Sequence, residues 1–266
     1  MELCYEARSH RGLVRTHNED AVLVCGKLLS ADKEAVLVCG KQISGADGGG
    51  LLAASGKADG GVFAVCDGMG GERFGGEAAA IAVSSLAGIA PRALPLQAGA
   101  AIDRANAAIC RLMEERGARI GTTLAALSVC DGGCWCANLG DSRVYHRRGE
   151  TLRRLSADHT RAAQMIGAGI LSPEEAARHP ARHQLTQHLG IFPEEFTLEP
   201  HTAKAVLLPG DDVLLCSDGL TDGVSDAAIA GCLLRERLPR QAADGLLSLA
   251  LAAGGRDNIA LILLRF

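Results

Sequence analysis

Uninterrupted apolar runs of strand length recur along this chain, each bounded by glycine, aspartate or another turn residue. They occupy residues 62–66, 123–130, 134–139, 143–147, 213–216 and 259–264. Alanine-rich segments with helical spacing fill 76–89 and 96–116, and two more follow at 226–237 and 240–252. Between 123 and 155 one strand pattern follows another with no helix between, which calls for antiparallel hairpins rather than crossover connections. The pattern therefore predicts an α+β fold built on sheets.

Two segments break the pattern. The heptapeptide AVLVCGK stands at 21–27 and again at 35–41, followed by a glycine- and alanine-rich run over 44–61. A repeat that occurs only twice is a local duplication and not a solenoid. The segment 21–61 is thus expected to form an extra hairpin and a mobile loop without chemistry. The second segment, 156–190, is rich in His, Arg and Glu. Its SPEEAARHP predicts one short helix with Ser172 as cap and Pro173 at the first position, in a surface excursion able to cover a site.

Length and composition narrow the class. A chain of 266 residues with 48% hydrophobic and 22% charged residues supports one large domain over 1–266 and excludes disorder over most of its length. With a net charge of −4 and no long Lys/Arg run, it lacks the footprint of a nucleic-acid binder. No stretch has the apolar length of a membrane helix or a signal peptide, so no membrane partner and a cytoplasmic location are expected. The ten cysteines then read as reduced, small core residues. Cys130, Cys134 and Cys136 invite a zinc reading, but C-x3-C-x-C with no fourth ligand nearby fits strand alternation better. Cys66 and Cys216 close apolar runs and read as buried.

Candidate chemistry lies where apolar strands end in acid: Asp20 in HNED, Asp67 in VFAVCDGMGG, Asp141 in NLGDSR, Asp218 in LLCSDGLTD and Asp257 in GGRDN. One such aspartate is ordinarily a turn former or a helix cap. Five in one chain point to convergence, which repulsion forbids unless cations neutralise them. Oxygen ligands without histidine favour Mg²⁺ or Mn²⁺ over zinc. A two-metal centre for phosphate chemistry is the resulting hypothesis.

HRGLVRTHNED, VFAVCDGMGG, GTTLAALSV, NLGDSRVY, LLCSDGLTD and GGRDNIALILL, in this order, resemble the successive motifs of the metal-dependent protein phosphatases, type 2C or PPM, in their bacterial serine/threonine branch. The likeness runs from about Ser9 to the C-terminus and lapses over about 24–60. It implies an αββα sandwich, two antiparallel sheets flanked by helix pairs, with two Mn²⁺ or Mg²⁺ ions at one edge and a third, weaker one. By that resemblance Asp67 bridges both ions and Gly68 offers its carbonyl to the second. Asp218 and Asp257 complete the first, while Glu19 and Asp20 reach the second mostly through water. Asp141 matches the position that helps hold the third, and 156–190 corresponds to the flap. Arg15 resembles the phosphate-binding arginine, whose fork a lysine cannot reproduce.

The resemblance further implies in-line attack by metal-bridged water, without a phospho-enzyme, with Arg15, Asp67 and Asp218 as catalytic residues. Relatives that carry histidine where Met69 stands use it to protonate the leaving oxygen, which methionine cannot do. His10, His17 and His159 are nearest in the motifs. Flap residues Arg161, Arg178, Arg182, His179, His183 and His188 either meet a phosphopeptide or form a solvated face. The partners implied are phosphorylated proteins, among them a bacterial Ser/Thr kinase and its substrates, acted on by a monomer. Two alternatives stand beside this reading. One is a catalytically silent phosphoprotein-binding module of the same fold. The other, a nuclease, is disfavoured by the acidic charge and by only 3% aromatic residues.

Overall fold

A computed structural model describes residues 1–24, 36–37, 51–70 and 74–266. Its first strands are β1 (Leu3–His10), β2 (Ala21–Leu23), β3 (Val36–Leu37), β4 (Leu51–Ala58), β5 (Gly61–Cys66) and β6 (Gly68–Met69). Helices α1 (Gly75–Leu86) and α2 (Leu94–Arg116) follow. Next come β7 (Gly121–Thr122), β8 (Leu124–Cys130), β9 (Gly133–Leu139), β10 (Arg143–Arg148) and β11 (Thr151–Arg154). The flap segment holds α3 (Arg161–Gly167), α4 (Pro173–Ala176) and a 3₁₀ turn at Pro180–His183. The chain ends with β12 (His201–Val206), β13 (Asp212–Cys216), α5 (Asp218–Thr221), α6 (Asp226–Arg235), α7 (Pro239–Ala252) and β14 (Ile259–Arg265).

The strands form two six-stranded sheets and one two-stranded ribbon. The first sheet runs β11-β10-β13-β14-β1-β4, the second β12-β9-β8-β5-β2-β3, and β6 pairs with β7. Both faces of each sheet are covered, which explains the continuous apolar runs. In β5, Phe63 and Val65 point between the sheets, while Val62, Ala64 and Cys66 meet α1 and α2. In β14, Ala260, Ile262 and Leu264 point between the sheets, while Ile259, Leu261 and Leu263 meet α6 and α7. Four layers result, helix on sheet on sheet on helix, and the αββα expectation holds. Each fully buried Leu, Ile or Val contributes about 1.5–3 kcal/mol.

No single helix among the described residues is long and apolar enough to cross a membrane; the apolar pair α1 and α2 is bent by 98°. The eight cysteines seen among the described residues are free.

The duplicated segment behaves differently from the expected hairpin and loop. The first copy begins as β2, and Val36–Leu37 of the second pairs with it in parallel, Val22 opposite Val36. A tight hairpin cannot join parallel strands. Within the glycine- and alanine-rich run, β4 pairs antiparallel with all eight residues of β1, from Leu3 opposite Ala58 to His10 opposite Leu51. The expectation of a loop fails there because an edge strand of small residues carries little hydrophobic signal. What was expected of 25–35 and 38–50 lies outside the described residues. The strand β1 was also not anticipated, since it carries Glu6 and Arg8. Arg8 is buried all the same, bonded to Glu6 at 2.9 Å and to Asp244 of α7 at 2.7 Å.

Candidate metal centre

The loops that end β5 and β13, and those that precede β2 and β14, come together around a cavity of about 600 Å³. Arg15, Glu19, Asp67, Gly68, Asp141, Asp218 and Asp257 line it. Asp20, only 3% exposed, lies behind that wall. All eight residues singled out in the sequence thus fall in one place.

Local hydrogen bonds fix Asp67, Asp20 and Glu19. The Asp67 backbone is clamped from the neighbouring strand: its N–H donates to Thr123 Oγ1 at 2.9 Å, and its carbonyl accepts from Thr122 Oγ1 at 2.9 Å. Thr123 Oγ1 is itself 2.6 Å from Ser142 Oγ. Gly68 and Gly75 are mutually pressed, and a Cβ on Gly68 would strike the carbonyls of Gly75 and Glu19, so only glycine passes. Ser217 donates to Asp20 Oδ2 at 2.8 Å and accepts from the Ala260 N–H at 2.9 Å, which ties Asp20 to β14. Asn258 accepts from the Glu19 N–H at 2.7 Å and donates to the carbonyls of Arg11 and His17 at 2.9 Å. That one amide staples the HNED loop to the GGRDN loop.

The electrostatics are those of crowded anions. Burial first, then the nearby charges of Asp20, Asp218 and Asp141, push the Asp67 carboxyl well above the usual range. Burial, with Asp218, Asp257 and Glu19, does the same to Asp20 against the opposing pull of its Ser217 bond. Asp141 is pushed up to about 8 by burial and Asp218, and Asp218 to about 6 by burial foremost. Two buried carboxylate oxygens, Asp20 Oδ1 and Asp218 Oδ1, have no hydrogen-bond partner among the described residues. Orphaned carboxylate oxygens are costly in a protein interior and are the donors that hard divalent cations take. The residue set therefore fits Mg²⁺ or Mn²⁺.

Arg15 reaches in from the loop after β1, and its Nη2 donates to Asp257 Oδ2 at 2.7 Å. The guanidinium is 55% exposed, so its remaining N–H groups stay open to an anion. Burial drives the thiol of Cys66 up and that of Cys216 to about 12, and neither is a reactive thiolate.

The histidines differ from the motif-based expectation. His10 Nδ1 accepts from the Gly12 N–H, His159 Nδ1 accepts from the Gly140 N–H, and His17 pairs with Thr16. None of the three lines the cavity; His183 and His188 do. His188 Nδ1 donates to the Leu189 carbonyl at 2.9 Å, and burial holds its imidazole below the usual range. His183 lies beside Asp218 and Asp222, with potential ligand atoms all within 4.8 Å of one another, so one imidazole stands at the edge of the acidic cluster. Asn258, Thr123, Ser142, Ser217 and Asp222 were also missed. Asn258 had a signal, its place beside Asp257 in the GGRDN motif; the others stand out only once strands are paired.

Known proteins resemble this chain throughout. Residues 51–252 match the family model of protein phosphatase 2C. The serine/threonine protein phosphatase PstP of Mycobacterium tuberculosis is 32% identical over 98% of the chain, which spans only 44% of that protein. The serine/threonine phosphatase stp of Listeria innocua is 30% identical over 97% of the chain and 94% of its own length. Among solved structures, the catalytic domain of PstP in complex with two manganese ions superposes with a TM-score of 0.75 at 28% identity, covering 100% of this chain and 99% of that one.

Proposed function

The chain belongs to the protein phosphatase 2C family, and from that premise we propose that it is an active serine/threonine protein phosphatase dependent on Mn²⁺ or Mg²⁺. One observation carries this reading over the silent module: two buried carboxylate oxygens, Asp218 Oδ1 and, behind the cavity wall, Asp20 Oδ1, have no hydrogen-bond partner among the described residues, beside a cavity that six acidic side chains line. A domain that merely binds phosphoprotein gains nothing from so costly an arrangement.

In this reading Asp67, Asp218, Asp257, the Gly68 carbonyl, Glu19 and Asp20 would hold two cations, and Asp141 would help to hold a weaker third. Bound cations would supply Lewis acidity and an acidified water for attack on phosphorus. The chain supplies the rest. Arg15, anchored on Asp257, holds the phosphoryl oxygens with its free N–H groups. The Thr122, Thr123 and Ser142 clamp keeps the Asp67 backbone still while charge shifts around it. With Met69 unable to donate a proton, His183 and His188 are the imidazoles placed at the cavity for the leaving oxygen.

The substrates are phosphoserine and phosphothreonine proteins, including a bacterial Ser/Thr kinase and its targets, met in the cytoplasm by a monomer. The test is turnover of a small aryl phosphate and of a phosphoserine peptide, with Mn²⁺ or with Mg²⁺. Hydrolysis of both supports the reading; binding of the peptide without turnover in either metal revives the silent module.

A further inference from the structure

A second pocket, of about 430 Å³, opens beside the metal cavity and shares His183, Asp222 and Asp257 with it. Small residues make it: a Cβ on Gly223 would meet that of Ala253, and Gly255 turns at φ +50 where only glycine is unstrained. Arg182 and His183 enter from the 3₁₀ turn of the flap, and Arg256 from the GGRDN loop. The acids of this pocket are engaged. Asp257 holds Arg15 at 2.7 Å, and the two Asp222 oxygens face Arg182 and His183, each at 3.5 Å. The cations are not fully engaged. Arg256 is exposed and makes no ion pair or hydrogen bond among the described residues, and Arg182 has only its long contact with Asp222 and a 2.9 Å bond to His183.

Building on the proposed phosphatase activity, we propose that this pocket is a second anion subsite, which takes a carboxylate or phosphate side chain from the same polypeptide that carries the scissile phosphate. An extended peptide advances about 3.3 Å per residue, so a side chain one to three positions away crosses the shared wall of Asp222 and Asp257. Arg256 and Arg182, which both line the pocket, would grip that group, and the glycines let the peptide backbone come close. The preferred substrate class is then an acidic or multiply phosphorylated segment.

The experiment compares three phosphoserine peptides of equal length, with neutral flanks, with glutamate two positions away, or with a second phosphoserine there. Each is measured with the Mn²⁺-loaded enzyme, and fluorescein-labelled copies give equilibrium affinities in parallel. Both kcat/KM and affinity should favour the two anionic peptides by roughly fivefold, an ordinary worth for an accessible charge contact, and lose that preference at high salt. Arg256→Gln and, separately, Arg182→Gln should abolish the ratio through KM rather than kcat, while Arg256→Lys keeps part of it. A larger gain for the second phosphoserine than for glutamate identifies phosphate as the preferred group. Equal kinetics and affinity for all three peptides, or a ratio untouched by both glutamine variants, overturns the proposal. If wild type turns over neither peptide nor aryl phosphate with Mn²⁺, the phosphatase reading has failed, and the affinity ratio still decides the subsite.

Discussion

Asp67 and Asp218 lie at the ends of strands buried on both faces, and the residue scale is where their roles are most exposed to test. Replacing either by asparagine removes a charge from the cation cage and is expected to lower kcat/KM by at least about two orders of magnitude, the scale of a lost electrostatic stabiliser. The same change relieves repulsion among acids that burial already strains, so Asp218→Asn should leave the cation-free melting temperature equal or higher. A sharp fall in melting temperature would mean that Asp218 is a structural cap and not a ligand. Arg15→Lys should raise KM for a phosphopeptide more than lysine at Arg161 or Arg178, because only a fork fits two oxygens and neither flap arginine lines the cavity. Equal effects at all three positions would contradict the phosphate clamp. The carboxylates were legible in the sequence since each follows or precedes an apolar run. Asn258 and Ser217 were not, because their importance lies in bridging loops far apart in the chain.

At the scale of elements, the hairpins between β8 and β11 and the four long helices announced themselves through the period of their apolar positions. The capping box of α4, with Ser172 and Glu175 bonded to each other's backbone N–H, sits where SPEE marks it. Edge strands did not announce themselves. β4 reads as LLAASGKA, mostly open to solvent, and only its ladder with β1 makes it a strand. That ladder divides the duplicated segment into parts with different costs. Removing residues 38–48 with a short Gly/Ser replacement leaves β4, β1 and every motif in place, and metal-dependent activity within about threefold of wild type is expected. Substituting aspartate at Ala54, the buried position of β4 opposite Ala7, should destabilise the fold by about 1–3 kcal/mol by burying an unpaired polar group, as denaturant unfolding would record. Activity lost on removing 38–48 with an unchanged unfolding midpoint would show that the insertion has a catalytic role.

For the whole molecule, the cost of gathering the acids appears as a pH dependence. The folded-state values of Asp218 at about 6 and Asp141 at about 8, with Asp67 and Asp20 also raised, lie above the usual carboxylate value near 3.8. Groups raised in this way favour the folded state when protonated, and that contribution is lost as pH climbs from about 4 through 8. Added Mn²⁺ should therefore raise the melting temperature more at pH 8 than at pH 5.5, where protons compete for the same oxygens; an equal shift at both would contradict the convergence of charge. Metal dependence is tested most directly by the rate of aryl phosphate hydrolysis by the purified chain as Mn²⁺ is added and then removed with excess EDTA. The expected result is activity that rises with Mn²⁺ and vanishes with the chelator, since carboxylates and water hold labile cations. Undiminished turnover in excess EDTA would contradict it.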